Sequence, residues 1–131
     1  MGRAIAAVGV GALFWAVFWN LGTLIARMVF PGIIDPELPI SHTGGLVAFV
    51  LYSAVVSILA GYITAAVRGA TPMVSVWVLA CIQLVLGFAF EAAFWHMTPL
   101  WYHLVFLAFI VPATVWGGLV RVKRTGTLDA A

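Results

Sequence analysis

The sequence predicts an all-α integral membrane protein, a four-helix transmembrane bundle of antiparallel up-down topology, and three observations predict it. Of its 131 residues 65% are hydrophobic and only 8% are charged, with a mean hydropathy of +1.18. Four acidic and six basic residues cannot cover the exterior of a soluble domain of this length, so the solvent has to be lipid. Four runs reach the length of about 20 mostly apolar residues that crosses about 30 Å of hydrocarbon at about 1.5 Å per residue. When those runs are threaded back and forth, the basic residues collect on one side.

The first span covers about 4–30 and is stopped by Pro31-Gly32. Arg3 before an apolar stretch resembles the start of a secretory signal, but the stretch is far longer than the roughly 7 to 15 apolar residues of a signal core. It is expected to remain in the membrane. The loop 31–44 follows, with Pro31, Pro36 and Pro39 restricting its backbone and Ile33-Ile34 among its polar residues, and a compact cap on the membrane surface is expected there. The second span, 45–67, ends at Arg68 and the turn from Gly69 to Pro72; the third, 73–95, is separated from the fourth, 100–120, by Thr98-Pro99. These two short turns predict antiparallel neighbours. Inside lipid each backbone amide must be paired within its own segment, so runs this long form helices, whereas transmembrane strands would be shorter and alternating. The whole chain, 1–131, reads as one transmembrane domain, with a short polar tail.

Orientation follows from charge. Arg3, Arg68, Arg121, Lys123 and Arg124 fall on one side and only Arg27 on the other, which places both termini in the cytoplasm; the opposite side would be periplasmic in a bacterium. The same six basic residues, dispersed through an apolar chain, make no patch that tracks phosphates, so nucleic acid is excluded as a partner. Cys81 is the single cysteine and excludes an internal disulfide.

Small and polar residues repeat at helical spacing. Ser53, Ser57 and Gly61 share a face of the second span, Ala80, Gln83, Gly87 and Glu91 one of the third, and Ala12, Ala16, Asn20, Thr23 and Arg27 one of the first. Such faces let helix backbones approach closely where water drives no association, and their polar members avoid lipid. They are expected inside the bundle or at a subunit contact. Trp15 and Trp19 are deep enough to pack internally or against a hydrophobic ligand.

Chemistry concentrates on the outer side. Glu91 is the only acidic residue embedded in a span and Arg27 lies at similar depth, so an Arg27–Glu91 ion pair is expected; Asn20 and Gln83 complete a set of candidate ligand-binding or pathway residues. His42, His96 and His103 also fall there, near Asp35 and Glu37. Neutral imidazoles and carboxylates are transition-metal ligands, so a divalent metal is the one cofactor the residues suggest, although HExxH, Cys-pair and i, i+4 His patterns are all absent. No catalytic signature is present: there is no phosphate loop, nucleophile elbow or paired carboxylates.

The second half carries Ala60-Gly61-Tyr62, Arg68, Pro72, Pro99 with Trp101-Tyr102-His103, Pro112 and Gly117-Gly118. Over roughly 45–121 it resembles small bacterial inner-membrane proteins with four predicted spans, which implies a bacterial membrane setting and no particular activity. Small multidrug transporters are similar in size, but their embedded acidic residue is in the first helix, where this chain has none. The residues therefore point first to a non-catalytic accessory subunit or small-ligand-binding module that meets other membrane subunits or itself. A homo-oligomeric transporter or channel using Glu91 and Arg27 is the alternative, and a metal-dependent membrane enzyme the third reading.

Overall fold

In a computed structural model, which describes residues 1–32, 40 and 42–126, the protein is all-helical: α1 Gly2–Val29, α2 Thr43–Arg68, α3 Pro72–Ala93, a single 3₁₀ turn at Trp95–Met97, and α4 Leu100–Thr125. All four α-helices are long and apolar enough to span a membrane. The loop expected to form a surface cap lies largely outside the described residues, as do Asp35 and Glu37.

The helix ends follow local chemistry. His42 caps α2, its Nδ1 accepting from the Gly45 amide at 3.0 Å. Gly69 and Thr71 both adopt positive φ, 74° and 47°, and Pro72 then opens α3 at a position that needs no amide hydrogen. Two ends differ from expectation. The third helix stops at Ala93 rather than 95, because Trp95–Met97 tightens into the 3₁₀ turn ahead of Pro99. The fourth continues past 120 to Thr125: basic side chains favour a helix C-terminus, and Gly126 ends the helix in the left-handed region at φ 67°.

Packing centres on α2 and α4, which make the most extensive contact of any pair. Two glycines make that closeness obligatory. A Cβ on Gly61 would run into the Thr114 carbonyl, and one on Gly117 into the Ile58 carbonyl. Ser53, Ser57 and Gly61 on α2, and Ala80, Gln83, Gly87 and Glu91 on α3, are all buried, as their spacing predicts. On α1 the expected face is displaced. The helix packs through Ala7, Gly11, Trp15 and Trp19, leaving Ala12 and Ala16 half-buried and Asn20 and Arg27 exposed. The tryptophans decide this rotation: Trp15 Nε1 donates to Ser57 Oγ at 3.2 Å, and the Trp19 ring sits 5.2 Å from Phe106 and 6.0 Å from Phe49. Burying two indoles outweighs burying alanines.

One end of the bundle is tied by the Arg3 Nε–H donating to the Val67 carbonyl at 2.9 Å and by the Arg121 guanidinium over the Tyr62 ring. At the other, the Ile40 amide donates to the Met97 carbonyl at 2.8 Å.

Candidate functional site

The polar site forms at the Ile40–Met97 end, where α3 turns into α4. Thr98-Pro99 breaks the helix, and the short turn sets the first turn of α4 against the last turn of α3. Glu91 from α3 and His103 from α4 thereby meet, both at 2% exposure or less, with His103 Nδ1 hydrogen-bonded to Glu91 Oε2. The other ring nitrogen, Nε2, lies 3.1 Å from the Trp95 carbonyl, 3.2 Å from the Thr98 carbonyl and 3.1 Å from Thr98 Oγ1. Carbonyl oxygens only accept, so Nε2 carries a hydrogen. Nδ1 then faces Glu91 as acceptor from a carboxylic acid or as donor to a carboxylate. In either arrangement the pair shares one proton and is neutral overall, which is how two ionisable groups coexist in an apolar interior. Trp95 stacks flat on the imidazole, with centroids 4.3 Å apart and planes 6° apart, and fixes its orientation.

Beside the pair is a cavity of about 80 Å³ lined by Trp19, Thr23, Arg27, Glu91, Thr98 and Tyr102, among others. It has room for a few water molecules or one small polar group. Arg27 lines the same cavity as Glu91, but among the described residues the ion pair at Glu91 is made by His103, not Arg27. The imidazole wins because the α3–α4 turn delivers it directly to the carboxylate, while Arg27 sits exposed on α1.

The other candidates are dispersed. Gln83 is fully buried mid-bundle, its Oε1 accepting from Thr114 Oγ1 at 2.5 Å, while its Nε2 has no partner among the described residues. Between Gln83 and Glu91 on the same helix face, Gly87 is covered by Ile110 and Phe106, so an apolar layer separates the two. Asn20 is exposed at the rim of a crevice between α1 and α3 that Trp19, Gly87 and Phe90 also line, and its Nδ2 donates to the Ala16 carbonyl of its own helix. Of the histidines, His42 is a helix cap, His103 belongs to the Glu91 pair, and His96 lines a separate surface hollow with Pro99 and Trp101. Among the described residues no group of three His, Cys, Asp or Glu side chains comes together to hold a metal ion.

A second feature gave no motif. Between α1 and α2 runs an apolar groove of about 740 Å³, walled by residues that include Phe18, Leu21 and Ile25 on one side and Ala48, Phe49 and Tyr52 on the other. Gly22 makes room for the Tyr52 ring, whose hydroxyl donates to the Phe18 carbonyl and so presents no free polar group to the groove. The stretch from Phe18 to Phe30 on α1 gives it a length of about 18 Å. The groove was hidden in the sequence because, His42 at its end apart, its walls are ordinary lipid-compatible side chains, and Gly22 meets Gly44 and Gly45 there only in the fold.

No protein-family model, curated protein or solved structure matches this chain.

Proposed function

We propose that the protein is a non-catalytic membrane subunit that holds the hydrocarbon chain of a lipid in the α1–α2 groove. The groove's volume and apolar walls carry this reading. A site of that size, with its one hydroxyl already committed and its one imidazole, His42, at the end of the groove and bound through Nδ1 to the Gly45 amide, favours hydrocarbon along its length. The Glu91–His103 pair serves it by fixing the α3–α4 hairpin, against which Trp19 and Phe49 are braced from the back of the groove. Native mass spectrometry of the full chain released from membranes is expected to show one retained lipid per chain. Ala48→Trp, which fills the groove from an exposed position, is expected to abolish that retention. A wild-type chain carrying no lipid, or an Ala48→Trp chain carrying it undiminished, overturns the reading.

The same reading sets the protein in a bacterial inner membrane with antiparallel helices and both termini in the cytoplasm. Support comes from the Arg3–Val67 and Arg121–Tyr62 contacts, which gather basic residues at one end of the bundle, and from the Ile40–Met97 bond at the other. A reporter fused after Ala131 that works only outside the cytoplasm is expected to stay silent; activity refutes the orientation.

A further inference from the structure

The small cavity beside the Glu91–His103 pair is walled by groups whose hydrogen-bonding capacity the protein leaves unused. Glu91 is 2% exposed and gives Oε2 to His103. Its Oε1 is an acceptor whether the shared proton sits on the carboxyl or on the imidazole. Tyr102, 5% exposed, lines the same space; its hydroxyl has no hydrogen-bond partner among the described residues, whereas a buried phenol ordinarily finds one. Trp19, Phe49, Phe90 and Phe94 supply an aromatic wall, the Phe90 ring centroid lying 4.8 Å from Phe94 and 6.4 Å from Trp19. Arg27 lines the cavity too, is exposed, and makes no ion pair among the described residues.

Two buried oxygens that accept, beside a wall of rings, select a cation that carries N–H donors, since ring faces attract positive charge. A primary ammonium is such a group. A bare cation is excluded by charge: the Glu91–His103 pair is already neutral and Arg27 adds a positive charge to the wall, so a second uncompensated one is repelled in an apolar interior. The charge balances when the ligand brings its own anion, set against Arg27 while its ammonium enters between Glu91 and Tyr102. A cavity of about 80 Å³ admits the ammonium with the carbon or two next to it and leaves the anion at the mouth. Depth agrees, because Arg27 and Glu91 stand in the last turns of α1 and α3, where headgroups meet hydrocarbon. We infer that this cavity binds a small zwitterion, a primary ammonium a few bonds from a phosphate or carboxylate, the chemistry shared by an ethanolamine phospholipid headgroup and by free phosphoethanolamine or an amino acid. The site is distinct from the α1–α2 groove, with which it shares only Phe49 among its lining residues.

The test is calorimetric titration of the full-length protein, held in phosphatidylglycerol nanodiscs that contain no amine, with phosphoethanolamine and with its trimethylated counterpart phosphocholine. Phosphoethanolamine is expected to bind, and phosphocholine about tenfold more weakly or worse, because its ammonium has no hydrogen to donate and its methyl groups overfill the cavity. Arg27→Gln and Tyr102→Phe remove groups that hold nothing else among the described residues, so the fold survives them, and each is expected to weaken binding about five- to tenfold. A lipid source is read by native mass spectrometry of the Ala48→Trp chain, whose groove is filled, taken from phosphatidylglycerol nanodiscs holding equal amounts of phosphatidylethanolamine and phosphatidylcholine. Selective retention of phosphatidylethanolamine, lost on adding Arg27→Gln, identifies the headgroup as the ligand; binding of phosphoethanolamine with neither lipid retained identifies a free zwitterion. The preference between the two headgroups is the readout, so a groove that holds no lipid chain leaves it unchanged. The inference is overturned by a protein that neither binds phosphoethanolamine nor selects phosphatidylethanolamine, by phosphocholine binding equally well, or by Arg27→Gln and Tyr102→Phe proteins that bind as wild type does.

Discussion

The two helices that flank α2 are held in opposite ways. Against α4, backbone meets backbone: Gly61 lies on the Thr114 carbonyl and Gly117 on the Ile58 carbonyl, with no side chain between them. Against α1, Gly11 comes close to Thr64 and the Ala60 carbonyl at one end, but from Trp15 onward contact is made by the tips of Trp15, Trp19 and Tyr52, and an open groove of about 740 Å³ remains beside them. A seam of carbonyls and glycines cannot adjust, whereas a seam of large side chains leaves spaces that a ligand can occupy. The α2–α4 pair, extended by the α3–α4 hairpin, is thus the closely packed frame, and α1 is the helix with the least of its apolar stretch buried against the others.

The largest expected effect falls on the hairpin. His103→Leu leaves the Glu91 carboxyl buried without its partner and the Trp95 and Thr98 carbonyls without a donor, and is expected to cost about 3 to 5 kcal/mol in a detergent unfolding titration. Glu91→Gln keeps a group that can hydrogen-bond Nδ1 and should cost less. The double variant Glu91→Leu, His103→Leu should regain part of the loss, because replacing both members leaves no stranded charge. If the single and double variants unfold together, the pair is not what holds α3 to α4.

One substitution made in both regions sharpens the contrast. Gly61→Ala and Gly117→Ala each place a methyl group against main-chain atoms that cannot swing aside, and each is expected to destabilise by about 1 to 3 kcal/mol. Gly9→Ala, on the open surface of α1, meets nothing within 4 Å and should raise stability by about 0.5 to 1 kcal/mol through helix propensity alone. Equal responses at the three positions would dissolve the distinction between frame and accessory helix.

How much of this was legible in the sequence divides along the same line. The four spans, their turns and the inward faces of α2 and α3 follow from apolar run length, Pro and Gly placement and residue spacing, all of which depend on the chain locally. The inward face of α1 was not legible because two competing stripes, Ala12-Ala16-Asn20 and Gly11-Trp15-Trp19, lie about 100° apart, and spacing alone does not say which is buried; the reach of the Trp15 indole to Ser57 decides it. Glu91 was identifiable as a buried carboxyl, but its partner was not. Arg27 matched its depth, while His103 is brought to it by a 3₁₀ turn that no periodicity announces.

The smallest effect on stability belongs to the substitution that should matter most to function. Ala48 is an exposed groove residue with no close-packed backbone behind it, so Ala48→Trp adds bulk to space that is already empty. Its unfolding free energy in a lipid-free detergent is expected to stay within about 0.5 kcal/mol of wild type. Adding lipid should then separate the two proteins: a ligand that binds only the folded state stabilises wild type in proportion to its occupancy, and a protein whose groove is filled gains nothing. A titration with membrane lipid that raises the thermal midpoint of wild type and leaves that of Ala48→Trp unmoved would place the binding energy in the α1–α2 seam. Parallel rises in both would place it on the general lipid-facing surface, and the groove would be no more than the gap left by helices packed through their aromatic tips.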